Sequence, residues 1–157
     1  MQFNSVKLKE PEILSVPISG ETVQTCLDTY FLNENLDKKC PNCQSTKSLK
    51  TADIAVPPST LILQLKWFSY DETNDCVTKL HVPVHCPLNV SLQGRYMYYL
   101  NSVINHSGES ATSGHYTILL NDRTTSNPIL VDDDHISHNI DVNEIDDVSY
   151  VAIYSKL

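Results

Sequence analysis

Residues 60–70, TLILQLKWFSY, are almost all apolar or β-favouring. A run of that length and composition predicts a strand buried on both faces, and such a strand needs neighbours on both sides. The rest of the chain supplies them. RYMYYLNSVINHSG reads as a second strong strand, and HYTILL, PILVDD and SYVAIYS continue the pattern to the C-terminus. CVTKLHVPVHCPLNVSL gives short strands broken by prolines, and SLKTADIAV a strand stopped by Pro57-Pro58. Only one segment has helical spacing: Val23, Cys26, Leu27, Tyr30 and Phe31 predict a helix over residues 21–32. ILSVPI is an extended lead-in, KKCPNCQS a tight turn, and DETND a hairpin-like loop. The expected class is α+β, a mostly antiparallel sheet with few helices.

A chain of 157 residues suffices for one domain with a real core. Its formal charge of −8 argues against nucleic acid, whose phosphates require Lys and Arg. The acid is concentrated late in the chain. Between Thr124 and Ser155 there is no Lys or Arg, but there are Asp132, Asp133, Asp134, Asp141, Glu144, Asp146 and Asp147. That stretch is either a solvated rim or a surface that steers a basic ligand. No run reaches the roughly 18 apolar residues of a membrane span, and the N-terminus lacks an apolar core of signal-peptide length. An intracellular protein is expected. Five cysteines, an odd number, then read as structural thiols, metal ligands or nucleophiles rather than disulfides.

His115 directly follows the Gly/Ser-rich loop Ser107–Gly114, framed by Gly108 and Gly114, and opens a strand. That is a suitable place for a general base, with a rigid element behind the ring and a mobile loop at its edge. Asp132, Asp133 and Asp134 begin where PILV ends. If HYTILL and PILV form a hairpin, an aspartate there reaches the histidine and fixes its tautomer. The competing reading is a surface histidine beside a solvated acidic turn. If alternation continues, Asp133 points to the opposite face or to solvent. Cys40 and Cys43 form a Cys-x-x-Cys turn, which offers two of the four thiolates of a structural zinc site. It follows a helix and leads into a strand, whereas a redox motif should open a long helix. His81 and His85, four apart in an extended stretch, stand about 13 Å from each other, too far to share one ion.

Taken together these residues resemble the C-terminal half of the ubiquitin-specific protease family, the papain-like cysteine deubiquitinases. EPEILSVPI with TVQTCLDTYF resembles the family's short strand and following helix. LDKKCPNCQSTKSLKTADIAVPPSTLILQLKWF resembles the second zinc-knuckle pair and the strand after it. YYLNSVINHSG with SGHYTILL resembles the histidine box, VDDDHIS the acidic box, and SYVAIYS the closing strand. The resemblance implies a partial catalytic domain over residues 1–157, with a fingers-like segment at 1–59, a palm-like segment at 60–157, and no thumb. It implies that His115 is the general base, Asp132 its orienting acid and Asp133 a second acid. Ser107, Gly108, Ser113, Gly114 and Tyr116 would contact the ubiquitin tail, and Cys40 and Cys43 would be half of a zinc ligand set. No cofactor is implied for catalysis.

The chain also departs from the family pattern. No Gly/Asn-rich Cys box is present, and residues 1–10 hold no cysteine for the first knuckle pair. Trp67 stands where the family usually has arginine. Cys26 falls on the core face of the expected helix and Cys76 in a polar loop, so neither has the helix N-terminal context of an activated thiolate. Three readings remain open. The chain is part of a thiol isopeptidase that cleaves after the ubiquitin C-terminal glycine; or it associates with a separate Cys-box half; or it is a non-catalytic module that binds ubiquitin or a ubiquitin-conjugated protein. Neither nucleic acid nor membrane is an expected partner.

Overall fold

The computed structural model describes residues 13–73, 75–80, 82–108, 110, 113–122, 127–140 and 148–157. His81, part of the loop before His115, and Asp141, Glu144, Asp146 and Asp147 therefore lie outside the described residues. Among the described residues twelve strands and one helix follow in order: β1 (Leu14–Pro17), α1 (Val23–Tyr30), β2 (Glu34–Leu36), β3 (Ser48–Lys50), β4 (Thr60–Lys66), β5 (Phe68–Asp71), β6 (Cys76–Lys79), β7 (Asn89–Leu92), β8 (Tyr96–Ser107), β9 (His115–Asn121), β10 (Pro128–Asp132), β11 (His135–His138) and β12 (Val148–Lys156). Eight strands make the main sheet in the order β1-β4-β12-β8-β9-β10-β11, with β7 also paired to β8. β1 runs parallel to β4, and the other pairings are antiparallel. The expected α+β class is what the chain adopts.

The core forms where one face of this sheet meets α1. Leu61, Leu63 and Leu65 of β4 are buried, and the register sets Ala152 against Leu63 and Tyr154 against Leu61. Val23, Cys26 and Leu27 carry the buried stripe of α1 onto them. The helix is shorter than its periodicity predicts. Thr22 caps it, its hydroxyl accepting from the Thr25 N–H at 3.1 Å, so the first turn starts at Val23.

Residues 60–70 differ from expectation in two respects. Burial alternates along β4, with Ile62 and Gln64 only half-buried, so one face carries the core and the strand is not buried on both. The run also breaks at Trp67, whose N–H turns back to the Leu65 carbonyl at 3.0 Å. The indole is buried and donates to the Ser149 carbonyl at 2.6 Å. This anchored residue swings Phe68–Asp71 out of the main sheet, where β5 pairs with β6 as a separate hairpin. Only Ser48–Lys50 of SLKTADIAV is strand, paired with β2 on the far side of the Cys-x-x-Cys turn.

Candidate functional site

Register brings the site together. β9 and β10 pair as a hairpin, with Ile118 opposite Val131 and Leu119 opposite Leu130. One further step sets Thr117 opposite Asp132, and His115 lies two residues beyond Thr117 on the same face. His115 and Asp132 are thus diagonal neighbours, within reach of side chains. The expected contact is present: His115 Nε2 hydrogen-bonds Asp132 Oδ1. In the tautomer with the proton on Nε2, His115 donates to Asp132 and Nδ1 keeps the lone pair. Nδ1 can then take a proton from a nucleophile, while Asp132 stabilises the imidazolium that results. The pair is half-exposed, 50% for the His side chain and 46% for the Asp, so as a stability device it is worth little.

Asp133 is not on the opposite face. Asp132 pairs with His135, so Asp133 and Asp134 form a two-residue turn into β11, and Asp133 takes a φ of 49°. Strand alternation stops where the chain turns. Asp133 is exposed, as expected, but its carboxylate comes within 4.8 Å of the ligand atoms of both His115 and Asp132. Among the described residues this is the one group of three or more His, Cys, Asp or Glu side chains close enough to share an ion.

The loop before His115 is held by its glycines. Ser107 ends β8 directly opposite His115. A Cβ on Gly114 would lie 2.1 Å from His106 Nε2 and 2.6 Å from the Ser107 carbonyl. Gly108 has a φ of 144°, and a Cβ there would meet the Ser113 carbonyl at 2.7 Å and Gly114 Cα at 2.8 Å. Both positions exclude a side chain, because the two ends of the loop touch.

On the other face of the sheet lies an aromatic cluster that sequence spacing does not reveal. Tyr116 stands opposite His106, their rings 4.7 Å apart. Tyr150 lies 6.0 Å from His106 and 6.1 Å from Tyr116, and Phe68 is 6.3 Å from His106. Tyr150 occupies a bulge in β12 between Ser149 and Val151, which re-aims its ring. Its hydroxyl accepts from Gln64 Nε2 at 3.1 Å. Phe68 and Tyr150 also wall a half-open groove that runs to Ser15 and Gln64. Tyr116 is 52% exposed, so the cluster offers aromatic surface beside the loop.

The cysteines are elsewhere. Cys26 is in the core beneath the sheet, and burial pushes the nearby Cys86 thiol up to about 11. Cys76 opens β6 opposite Asp71, at the outer end of its hairpin. Cys40 and Cys43 sit in an exposed turn, closed by Cys40 N–H to the Ser45 carbonyl at 2.8 Å and Gln44 N–H to the Cys40 carbonyl at 2.9 Å. Backbone N–H groups of Cys43 and Asn42, with the Cys43 side chain, hold the Cys40 thiol below its ordinary value. Such a turn fits two corners of a thiolate metal site and does not complete one.

Comparison with known proteins agrees with this architecture. Residues 20–154 match the family profile described as ubiquitin carboxyl-terminal hydrolase. The chain belongs to that family. It is 31% identical over 165 residues to ubiquitin carboxyl-terminal hydrolase 46 of Caenorhabditis elegans, covering 95% of this chain and 38% of that protein. It is 36% identical over 131 residues to ubiquitin carboxyl-terminal hydrolase 11 of Schizosaccharomyces pombe, covering 67% of this chain and 37% of that protein. Among solved structures, a yeast SAGA DUB module superposes with a TM-score of 0.79 at 25% identity, over 92% of this chain and 35% of that one. A SAGA DUB module bound to ubiquitin aldehyde shares the fold, with a TM-score of 0.72 at 23% identity, over 92% of this chain and 35% of that one. The chain thus spans well under half the length of these relatives. Among the described residues, no helix is long and apolar enough to cross a membrane.

Proposed function

We propose that this chain supplies the base and its orienting acid to a thiol-dependent deubiquitinase that hydrolyses the bond after the ubiquitin C-terminal glycine. His115 Nδ1 accepts the thiol proton and returns it to the leaving amine, and Asp132 holds the ring through Nε2. Asp133 adds negative charge beside the imidazolium. Ser107, Gly108, Ser113 and Gly114 border the channel for the ubiquitin tail, and Tyr116 presents exposed aromatic surface beside the loop from the other face of the sheet. The nucleophilic cysteine comes from a segment other than those described, in the same polypeptide or in a separate Cys-box half. The observation that carries this reading is the Nε2–Asp132 hydrogen bond. Membership of the family and the relative solved with ubiquitin aldehyde support ubiquitin as the partner. Cys40 and Cys43 would hold half of a structural zinc ion's coordination, and catalysis needs no cofactor.

A second reading, a non-catalytic ubiquitin-binding module, is favoured by the placement of Cys26 in the core and Cys76 at the outer end of its hairpin. A fluorogenic amide at the ubiquitin C-terminus separates the two. The chain alone should give no turnover. With a Cys-box segment from a family relative supplied in trans, turnover should appear and vanish in His115→Ala. Turnover by the chain alone that disappears in Cys76→Ser would overturn the assignment of the nucleophile. Failure of the supplemented mixture, with ubiquitin still bound, would favour the binding module.

A further inference from the structure

We propose that Lys79 is a positioning residue for His115, acting through the base of the Ser107–Gly114 loop. Lys79 ends β6, opposite Phe68 on β5, and is half-buried. Its Nζ donates to the Gly108 carbonyl and to the His106 carbonyl, the latter at 3.4 Å. These two carbonyls flank Ser107, the residue paired with His115. One ammonium therefore ties together the peptides on both sides of the position that sets where the histidine starts.

The hairpin holds this point from two directions. Phe68 lies against the His106 ring, and Lys79 bonds the His106 backbone. The hairpin is itself anchored, since Leu80 N–H donates to the Trp67 carbonyl at 2.7 Å and the Trp67 indole is bonded to β12. A rigid path thus runs from the core strand through Trp67 and Lys79 to the end of β8. The Gly108 carbonyl lies past the end of β8 and needs a partner outside the ladder, and a cation donates to it and to the His106 carbonyl more strongly than a neutral group could. Ser110 and Ser113 bond to each other within the loop, and Lys79 adds a tie to the Gly108 carbonyl from outside it. Lys66, by contrast, is an exposed residue at the end of β4.

Lys79 fixes the end of β8 and, through Ser107, the His115 ring. Only its meaning for catalysis rests on the reading of His115 as a base, so the test does not use ubiquitin. Amide exchange and the ring-nitrogen NMR of His115 should be recorded for the unaltered chain, Lys79→Met, Lys79→Arg and Lys66→Met. In Lys79→Met, exchange at Ser107, Gly108, Gly114 and His115 should speed up about tenfold, as expected for the loss of a charge-assisted hydrogen bond. The His115 ring should change from the Nε2–H tautomer to a mixture. Lys79→Arg should restore both, and Lys66→Met should change neither. In the unaltered chain the Lys79 ammonium should give a slowly exchanging signal in contact with Gly108, which tests the bond even if Lys79→Met does not fold. Unchanged exchange and tautomer in a folded Lys79→Met, or a freely exchanging Lys79 ammonium, would overturn the proposal.

Discussion

Ser107 and His115 face each other across the last rung of the β8–β9 ladder, and the Gly114 Cα lies close against the His106 ring and the Ser107 carbonyl. The histidine is thus the first residue at which the chain, having made its loop, is again fixed by a neighbouring strand.

This closeness predicts the cost of a methyl group. Gly114→Ala would place Cβ inside the contact radius of His106 and Ser107, and overpacking of that kind costs about 1–3 kcal/mol. Gly94 has a φ of 66° but nothing within 4 Å of a Cβ, so Gly94→Ala should cost only the backbone strain, about 1–2 kcal/mol. Chemical denaturation of the two variants measures the costs. The Gly114 variant should also perturb the His115 ring resonances, and the Gly94 variant should not.

Asp132→Asn should leave the melting temperature nearly unchanged, since a half-exposed pair contributes roughly 0–1 kcal/mol. The same change should alter the His115 tautomer, because an amide can donate as well as accept. A large loss of stability would mean that the pair is structural.

The path from sequence to site was readable where local rules suffice. The hairpin of HYTILL and PILV follows from alternation and a polar turn, and it is enough to bring His115 to Asp132. The exposure of Asp133 is as expected, but the turn that places it depends on β11, a four-residue strand with one apolar side chain, Ile136, and all four residues exposed. The two-residue spacing between Asp132 and His135 was the available signal. The break at Trp67 was hidden because its cause, the bond to Ser149, spans 82 residues. The roles of Phe68, Lys79, His106 and Tyr150 depend on a separate hairpin and a β-bulge, neither of which leaves a periodic trace.

Thiol reactivity should sort by environment. Cys40, held below its ordinary value by the backbone N–H groups of Cys43 and Asn42, should be alkylated at lower pH than an unstructured thiol. Cys86 should resist until the chain unfolds. Zinc should slow alkylation of Cys40 and Cys43 but be lost to a mild chelator, as expected for half of a tetrahedral set. Mass spectrometry of timed iodoacetamide reactions reads both effects.

Burial of Cys86 also gives the stability a pH dependence. Its folded value is about 11, above that of an unfolded thiol, so the folded chain retains a proton that the unfolded chain releases. The stabilisation is complete below the ordinary thiol value and is lost as pH rises towards about 11. Tyr154, also raised by burial, adds in the same direction at still higher pH. Melting temperatures from pH 8 upward should fall, and Cys86→Ala should flatten the first part of the fall.

The ends of the loop, Tyr116 and His115 are proposed to receive the C-terminal tail of ubiquitin. Chemical-shift mapping of the isotope-labelled chain with ubiquitin, and with ubiquitin lacking its C-terminal glycine, tests it most directly. Intact ubiquitin should shift Ser107, Gly108, Ser113, Gly114, His115 and Tyr116, and the truncated form should leave the shifts at His115 and Gly114 much reduced. Equal shifts with both forms, or shifts confined to strands away from this end of the sheet, would contradict the account.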